Sequence, residues 1–355
     1  MNNISVVIPT HYRHVFLSRV LDYYKNSKFK IYVADSSKDI FKDRTKYENI
    51  TYLHFPEDLY FRKMQKSFSY VNTKYSFICA DDDFVSIESV KKCALYLEEN
   101  QDYSSAQGHY VAFNPASSLI PYPKYLNLLN LNICEDNPVD RLNNQLANYV
   151  FHYYAVHRTS FLKYFFEEIN PKFSNTSANV TELANTMLSI INGKHRSLPI
   201  FYAARDDAAG IPDNMRKEKH FQIEEIQKSD PDFFEKFVII VSNFFSKKHS
   251  IPIDEARLKL EKVLEKYFEK QKMPQQIRKL SKPSLPKKIL NNILPTFLVE
   301  RLKNQIYKKK TNGIKGFPFS DKESKKQWQE MKNVICRHDI DYSKIMKKYL
   351  ESWHY

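Results

Sequence analysis

Along the first two hundred residues, short runs of β-branched and aromatic residues alternate with stretches in which apolar positions recur every three or four residues. Such alternation predicts an α/β domain with a largely parallel sheet and right-handed helical crossovers. Strands are expected over residues 4–8, 31–34, 50–54, 76–80 and 106–113, and helices over 14–24, 60–71 and 87–99. A loop rich in Pro and Asn over 114–138 leads to a second group: a helix over 140–148, an aromatic strand over 152–157, a helix over 180–191 and a strand over 197–203. Gly193 stands where it would cap the third of these elements. Past Lys217 the pattern turns to long polar helices, including 254–268 and 324–335, separated by a Pro-containing stretch over 274–295. The chain thus divides into an α/β domain over 1–215 and a helical C-terminal region over 216–355.

Composition narrows this picture. With 355 residues, 42% of them hydrophobic and 14% aromatic, the chain can bury a sizeable core. No run of apolar residues is long enough to cross a bilayer, and Met1 to Ser5 leads straight into a strand rather than a charged and apolar leader, so a cytoplasmic location is expected. Cys79, Cys93, Cys134 and Cys336 are scattered without zinc-type spacing and read as reduced small hydrophobes.

The net charge of +14 is concentrated in one place. Between Lys272 and Lys315 twelve lysines and arginines face a single acidic residue, Glu300, and the rest of the chain is nearly balanced. The partner of that segment is expected to be anionic. Within it, Ile289, Leu290, Ile293, Leu294, Phe297 and Leu298 are flanked by lysines and arginines, as in an element lying on an anionic membrane surface. A helical hairpin packed on the domain with an exposed lysine face is the plainer alternative.

The strongest chemical signal is the apolar run from Phe77 to Ala80 ending in Asp81, Asp82 and Asp83. Three adjacent carboxylates repel one another, which suggests a compensating cation, and ligands of open α/β sheets bind at the carboxyl ends of strands. Oxygen ligands of this kind suit Mg²⁺ or Mn²⁺. The plain alternative is a solvated turn with Asp83 capping the following helix.

Two further strand ends accompany this one: Ser5 to Thr10, with Pro9 before Thr10, and Tyr32 to Ser37, with Asp35 before two serines. The order of the three resembles the nucleotide-binding half of inverting GT-A glycosyltransferases of the family 2 type, over roughly residues 4–207. The resemblance implies a Rossmann-like GT-A fold, a mixed and mostly parallel sheet flanked by helices, with a mainly helical C-terminal region. It implies that Thr10 lies against a nucleotide-sugar, Asp35 bonds the base, Asp81 contacts the ribose and Asp83 ligates a Mn²⁺ or Mg²⁺ ion, with Asp81 as its companion and Asp82 between them. Arg13, Arg62 and Lys63 are candidates to counter phosphate charge, an Arg fork suiting phosphate better than a Lys point charge. Asp35, Ser36 and Ser37 depart from the Asp-Asp-Gly-Ser run common in the family.

On the helix over 180–191, Leu183, Met187, Ile190 and Ile191 form an apolar face and leave Glu182 on the polar side. The resemblance makes Glu182 the general base that deprotonates an acceptor hydroxyl; Leu183 stands where the family carries a second acid. His152, His157 and His195 are read as structural, although a later histidine completes the metal site in some GT-A enzymes. Arg205, Asp206 and Asp207 are expected at the rim of the site. The acceptor implied is a glycan or lipid-linked glycan at the inner face of a membrane, with no nucleic acid involved. The rival from another class is a non-enzymatic polyanion- or nucleic-acid-binding protein on a degenerate GT-A domain, which leaves the carboxylates unexplained. Nucleotidyl transfer is disfavoured because the chain has five glycines and none before Gly108.

Overall fold

The computed structural model describes residues 3–116, 118–129, 131–147, 149–173, 178–209, 227–228, 230–272, 319 and 321–345. The expected boundary near 215, the Pro-containing stretch and the basic segment beyond Lys272 lie outside the described residues.

The strands are β1 (Ile4–Thr10), β2 (Lys30–Asp35), β3 (Ile50–His54), β4 (Tyr75–Ile78), β5 (Phe84–Val85), β6 (Tyr103–Asn114), β7 (Ser118–Lys124), β8 (Asn132–Ile133), β9 (Val156–Arg158) and β10 (Lys194–Asp206). They form one sheet in the order β3-β2-β1-β4-β9-β6-β10-β5, with β7 on β6 and β8 on β10. β3, β2, β1 and β4 pair in parallel, and β9 enters antiparallel between β4 and β6, so that β6 and its parallel neighbour β10 run in the same direction as the first four. The chain moves outward from β1 to β3 and then returns to place β4 on the other side of β1. That reversal is a topological switch point, where strand ends splay and a ligand can enter. Thr10, Asp35, the residues after Ile78, and Asp206 all stand at this one edge.

Helices α1 (His14–Tyr24), α2 (Tyr60–Phe68) and α3 (Ile87–Glu99) fall where the apolar periodicity puts them, since Leu17, Val20, Leu21 and Tyr24 of α1 and Val90, Cys93, Ala94 and Leu97 of α3 are buried together. The N-cap of α3 is Ser86, whose Oγ accepts from the Ser89 amide, so Asp83 is not spent as a cap. Helices α4 (Pro138–Ala147), α5 (Thr159–Tyr164) and α6 (Ala178–Asn192) follow, and then α7 (Pro231–His249) and α8 (Ile253–Lys272), a hairpin whose buried Phe237, Val241, Phe245, Leu260 and Leu264 join the same core. Ser250 turns the hairpin in the left-handed region, its amide closing on the Ser246 carbonyl. Helix α9 (Lys322–Ile335) lies by α1, and its Gln327 accepts from Ser86 and Ser89 at the start of α3.

The structure departs from the sequence expectation in three places. The stretch over 114–138 is not merely a loop, because β7 and β8 add to the sheet through it. Of the aromatic strand over 152–157 only Val156–Arg158 is β9, since the Ala155 amide bonds back to the His152 carbonyl and closes a turn. Gly193 is not in the left-handed region; a Cβ there would stand 2.8 Å from the Asp102 carbonyl oxygen and 3.1 Å from the Ser104 nitrogen. Close approach of α6 to β6, rather than cap geometry, demands the glycine. Both neighbours are backbone and cannot yield cheaply, so Gly193→Ala should destabilise the protein by about 1–3 kcal/mol, read as a lower urea midpoint at unchanged slope.

Candidate active site

Four strand ends converge at the switch point, and each carries one of the motifs. β1 ends in Thr10, whose hydroxyl donates to Asp81 Oδ2 at 2.6 Å. Arg13, just before α1, takes both oxygens of Asp81 and reaches Asp82 Oδ2 at 3.1 Å. Asp81 and Asp83 are each 1% exposed, whereas the Asp82 side chain stays partly in water. Asp83 Oδ1 accepts from the Asp206 amide at 2.9 Å, and its Oδ2 accepts from Tyr154 Oη at 2.8 Å and Arg205 Nε at 2.9 Å. Two buried carboxylates in adjacent turns are thus each held by an arginine.

The electrostatics follow from burial. Burial pushes the Asp83 carboxyl up to about 6, with Arg205 opposing and Asp82 adding to the rise. Asp81 is likewise raised by burial, against the pull of Arg13. Asp35, at the end of β2, shows the opposite balance. Burial alone would raise it, but hydrogen bonds from His14 at 2.7 Å, the Ser37 amide at 2.7 Å and Tyr52 at 2.5 Å outweigh burial and hold it below the usual carboxylate range. The Asp35 side chain itself has no exposed surface, whereas its partners His14 and Tyr52 are half-buried.

Lys63, on the inner face of α2, is 3% exposed and donates to the Thr10 carbonyl at 2.6 Å and to Ser36 Oγ at 3.0 Å. It therefore ties β1 to the turn after β2, while Arg62 points to the exposed face of the same helix. Of the two basic candidates on α2, geometry brings only Lys63 among the other motifs. Tyr12 and Glu57, both in the left-handed region, meet across the cleft mouth, where Tyr12 Oη donates to Glu57 Oε1 at 2.5 Å.

Glu182 on α6 is half-buried and makes neither a hydrogen bond nor an ion pair with the described residues. Burial raises its carboxyl, and Arg205 draws it back down. Tyr60, Tyr149 and Tyr153 each feel its charge, and Tyr60 and Tyr153 share a hydrogen bond. Arg205, paired with Asp83, is also the cation whose charge acts on Glu182, and its guanidinium carbon lies 5.3 Å from the Tyr154 ring centre and 6.0 Å from that of Phe151.

Residues 5–168 match the family model for Glycosyl transferase family 2. This segment is a family 2 glycosyltransferase domain. No curated protein matches the chain. Among solved structures, the fragment 1–349 of S. aureus TarS aligns at 13% identity and TM-score 0.47 over 99% of this chain and 93% of that one. The same fragment in complex with UDP-GlcNAc aligns at 11% identity and TM-score 0.46 over the same shares. A longer S. aureus TarS structure aligns at 12% identity and TM-score 0.46, covering 88% of this chain and 54% of that chain, so this protein spans about half its length.

The remaining sequence candidates of the glycosyltransferase sort by burial. His152, His157 and His195 have no exposed surface. His152 and His195 stack with ring centres 3.7 Å apart, and His195 Nδ1 bonds Ser105. Burial takes His157 down to about 4 and His195 to about 3, so these rings are neutral core groups. Asp207 binds Tyr122 and Lys124 of β7, and Asp206 is turned inward to Arg19. Tyr154, His14, Tyr52 and Arg19 carry site contacts that periodicity could not single out, because each reads as one more aromatic or basic residue of a helix, strand or turn.

Among the described residues no three His, Cys, Asp or Glu side chains converge to cage a metal ion. The donor set fits instead an ion bound through one or two carboxylates, with phosphate oxygens and water completing its shell, as Mg²⁺ commonly is.

Lys63 gives the site a measurable pH signature. Burial lowers its ammonium to about 8 despite Asp81 and Asp35 nearby. Between about 8 and the ordinary lysine value the unfolded chain holds a proton that the folded chain has released, so this group makes stability rise with pH in that window. Lys63→Met removes the effect, and the stability difference between wild type and variant, followed by chemical denaturation, should shift in favour of wild type as pH rises from 8 to 10.

Proposed function

We propose that this glycosyltransferase moves a sugar from a nucleotide-sugar to a hydroxyl of a glycan or lipid-linked glycan, with inversion at the anomeric carbon and Glu182 as general base. The observation that carries the reading is Glu182 itself: a half-buried carboxylate with no hydrogen bond or ion pair among the described residues, raised by burial and within the electrostatic reach of Arg205, which pairs with Asp83. A carboxylate left unbonded in a folded protein is costly unless something else binds there. An acceptor hydroxyl supplies such a partner, and its proton passes to Glu182 as its oxygen attacks the anomeric carbon and the sugar–phosphate bond breaks. Tyr60, Tyr149 and Tyr153 offer apolar faces and hydroxyls of the kind that hold a sugar ring.

On the donor side, Thr10 and Asp81 serve the nucleotide, and Asp35 serves the base through the donors it orients, His14 and Tyr52. Asp83 and Asp81 are the residues that would hold Mn²⁺ or Mg²⁺, which supplies charge neutralisation for the departing diphosphate. Arg13 and Arg205, bound to those carboxylates here, are the groups suited to grip the diphosphate oxygens. No described helix is long and apolar enough to cross a membrane. The proposal has the basic residues of 272–315 meeting an anionic inner membrane face where a lipid-linked acceptor resides.

A calorimetric panel of UDP, GDP, CDP and CMP, with and without Mn²⁺, should give metal-dependent binding of one nucleotide that disappears in Asp83→Ala. Binding by none of them would favour a polyanion-binding protein instead. Glu182→Gln should lower kcat by about 10²–10⁴ while nucleotide affinity stays within about twofold of wild type. In wild type, activity should fall as pH drops through a pKa above the ordinary glutamate value, because the base must be ionised; a rate profile that keeps this limb in Glu182→Gln would remove Glu182 from the mechanism.

A further inference from the structure

The described residues after α9 run back along α1 to the catalytic edge of the sheet. His338 Nε2 meets Asp22 of α1 at 2.8 Å, and the Tyr342 ring lies 5.4 Å from that of Phe16. The Tyr342 hydroxyl then enters a closed ring of three hydrogen bonds. Arg19 Nη1 donates to Tyr342 Oη at 2.8 Å, Tyr342 Oη donates to Asp206 Oδ2 at 2.8 Å, and Arg19 Nη2 donates to the same oxygen at 2.8 Å. Arg19 and Asp206 are 1% and 5% exposed, and Arg19 Nε has no hydrogen-bond partner among the described residues.

The ring touches the aspartate triplet at two points. Arg19 Nη2 also donates to the Asp82 carbonyl at 2.7 Å, and the Asp206 amide donates to Asp83 Oδ1 at 2.9 Å. The other Asp206 oxygen receives the amides of Ala208 and Ala209, which turns the chain out of β10. Removing the Tyr342 hydroxyl leaves Arg19 Nη1 without this acceptor and removes one of the two donors holding Asp206 Oδ2. Buried donors and acceptors lose most when one partner alone is deleted.

We infer that Tyr342 is a positioning residue: the segment 336–345, reaching across 323 residues of sequence, locks the Arg19–Asp206 pair and thereby holds Asp83 in place. The inference rests on the proposed role of Asp83 at the donor site. It makes the far end of the chain part of the donor site's support rather than an appendage, so anything that lifts this segment from α1 loosens Asp83. Side chains that orient metal and phosphate ligands commonly change affinity by about 10–100-fold when deleted.

The test compares full-length wild type, Tyr342→Phe and His338→Gln. Tyr342→Phe keeps the ring on Phe16, whereas His338→Gln weakens the same segment's hold on Asp22 without touching Asp206. Two readouts are taken: amide hydrogen exchange over 203–209, and the affinity for UDP, GDP and CDP in the presence of Mn²⁺, with Asp83→Ala alongside. The inference expects faster exchange over 203–209 and about tenfold weaker metal-dependent nucleotide binding in Tyr342→Phe, with the thermal midpoint within about 2 °C of wild type and little change in His338→Gln. Unchanged exchange in Tyr342→Phe overturns it, as do equal losses in the two variants, which mark mere anchoring. Faster exchange with unaltered affinity also overturns it, provided that Asp83→Ala abolishes binding. If Asp83→Ala binds as wild type does, the role proposed for Asp83 fails on its own account, and exchange at the Asp206 amide alone decides whether Tyr342 holds that strand end.

Discussion

Everything at this end of the sheet depends on pairing buried carboxylates with arginines. Asp81 and Asp83 sit at the end of a strand with almost no access to water, an arrangement that would be strongly unfavourable for two isolated charges. Arg13 and Arg205 answer them from opposite sides, one from the start of α1 and one from the end of β10. Because the two arginines belong to elements nearly two hundred residues apart, the pairing also fastens the first strands of the sheet to its last long one. The planar guanidinium forks of the same arginines also suit phosphate oxygens.

Around this centre the protein uses charge in two distinct ways. Asp35 is saturated by three donors and stays ionised, so it orients His14 and Tyr52. Glu182 receives no donor among the described residues and is raised by burial, which leaves it receptive to a proton. Arg205 lies within electrostatic reach of both Glu182 and Asp83. Lys63 performs a mechanical task below them, joining the ends of β1 and β2 through a backbone carbonyl and a serine hydroxyl.

The helical C-terminal residues share the core of the glycosyltransferase domain. Gln327 bonds at the start of α3, Trp328 lies 5.7 Å from the ring of Phe113, and Tyr342 reaches Asp206. A composition shift toward polar helices near residue 217 therefore marks a change in surface exposure along the chain as much as a change of structural unit.

The amino-acid sequence determined the local elements and the identity of the motifs. Apolar periodicity placed α1, α3 and β3 at their observed bounds, and the hydrophobic run into Asp81, Asp82 and Asp83 marked a strand ending in carboxylates, because each signal arises from neighbours within a few residues. What lies between distant segments was decided only by the tertiary structure. Nothing local distinguishes Arg205 from Arg62, or Tyr342 from the other tyrosines, yet the switch-point topology carries Arg205 onto Asp83 and Tyr342 onto Asp206, and leaves Arg62 in solvent. The turn at His152, which aims Tyr154 at Asp83, was hidden for the same reason: a run of aromatics has the composition of a strand, and only the space between β4 and β6 limits how much of it can be one. Burial and partner are relations between segments, and they set which carboxylate is tied, which is raised and which is free to act.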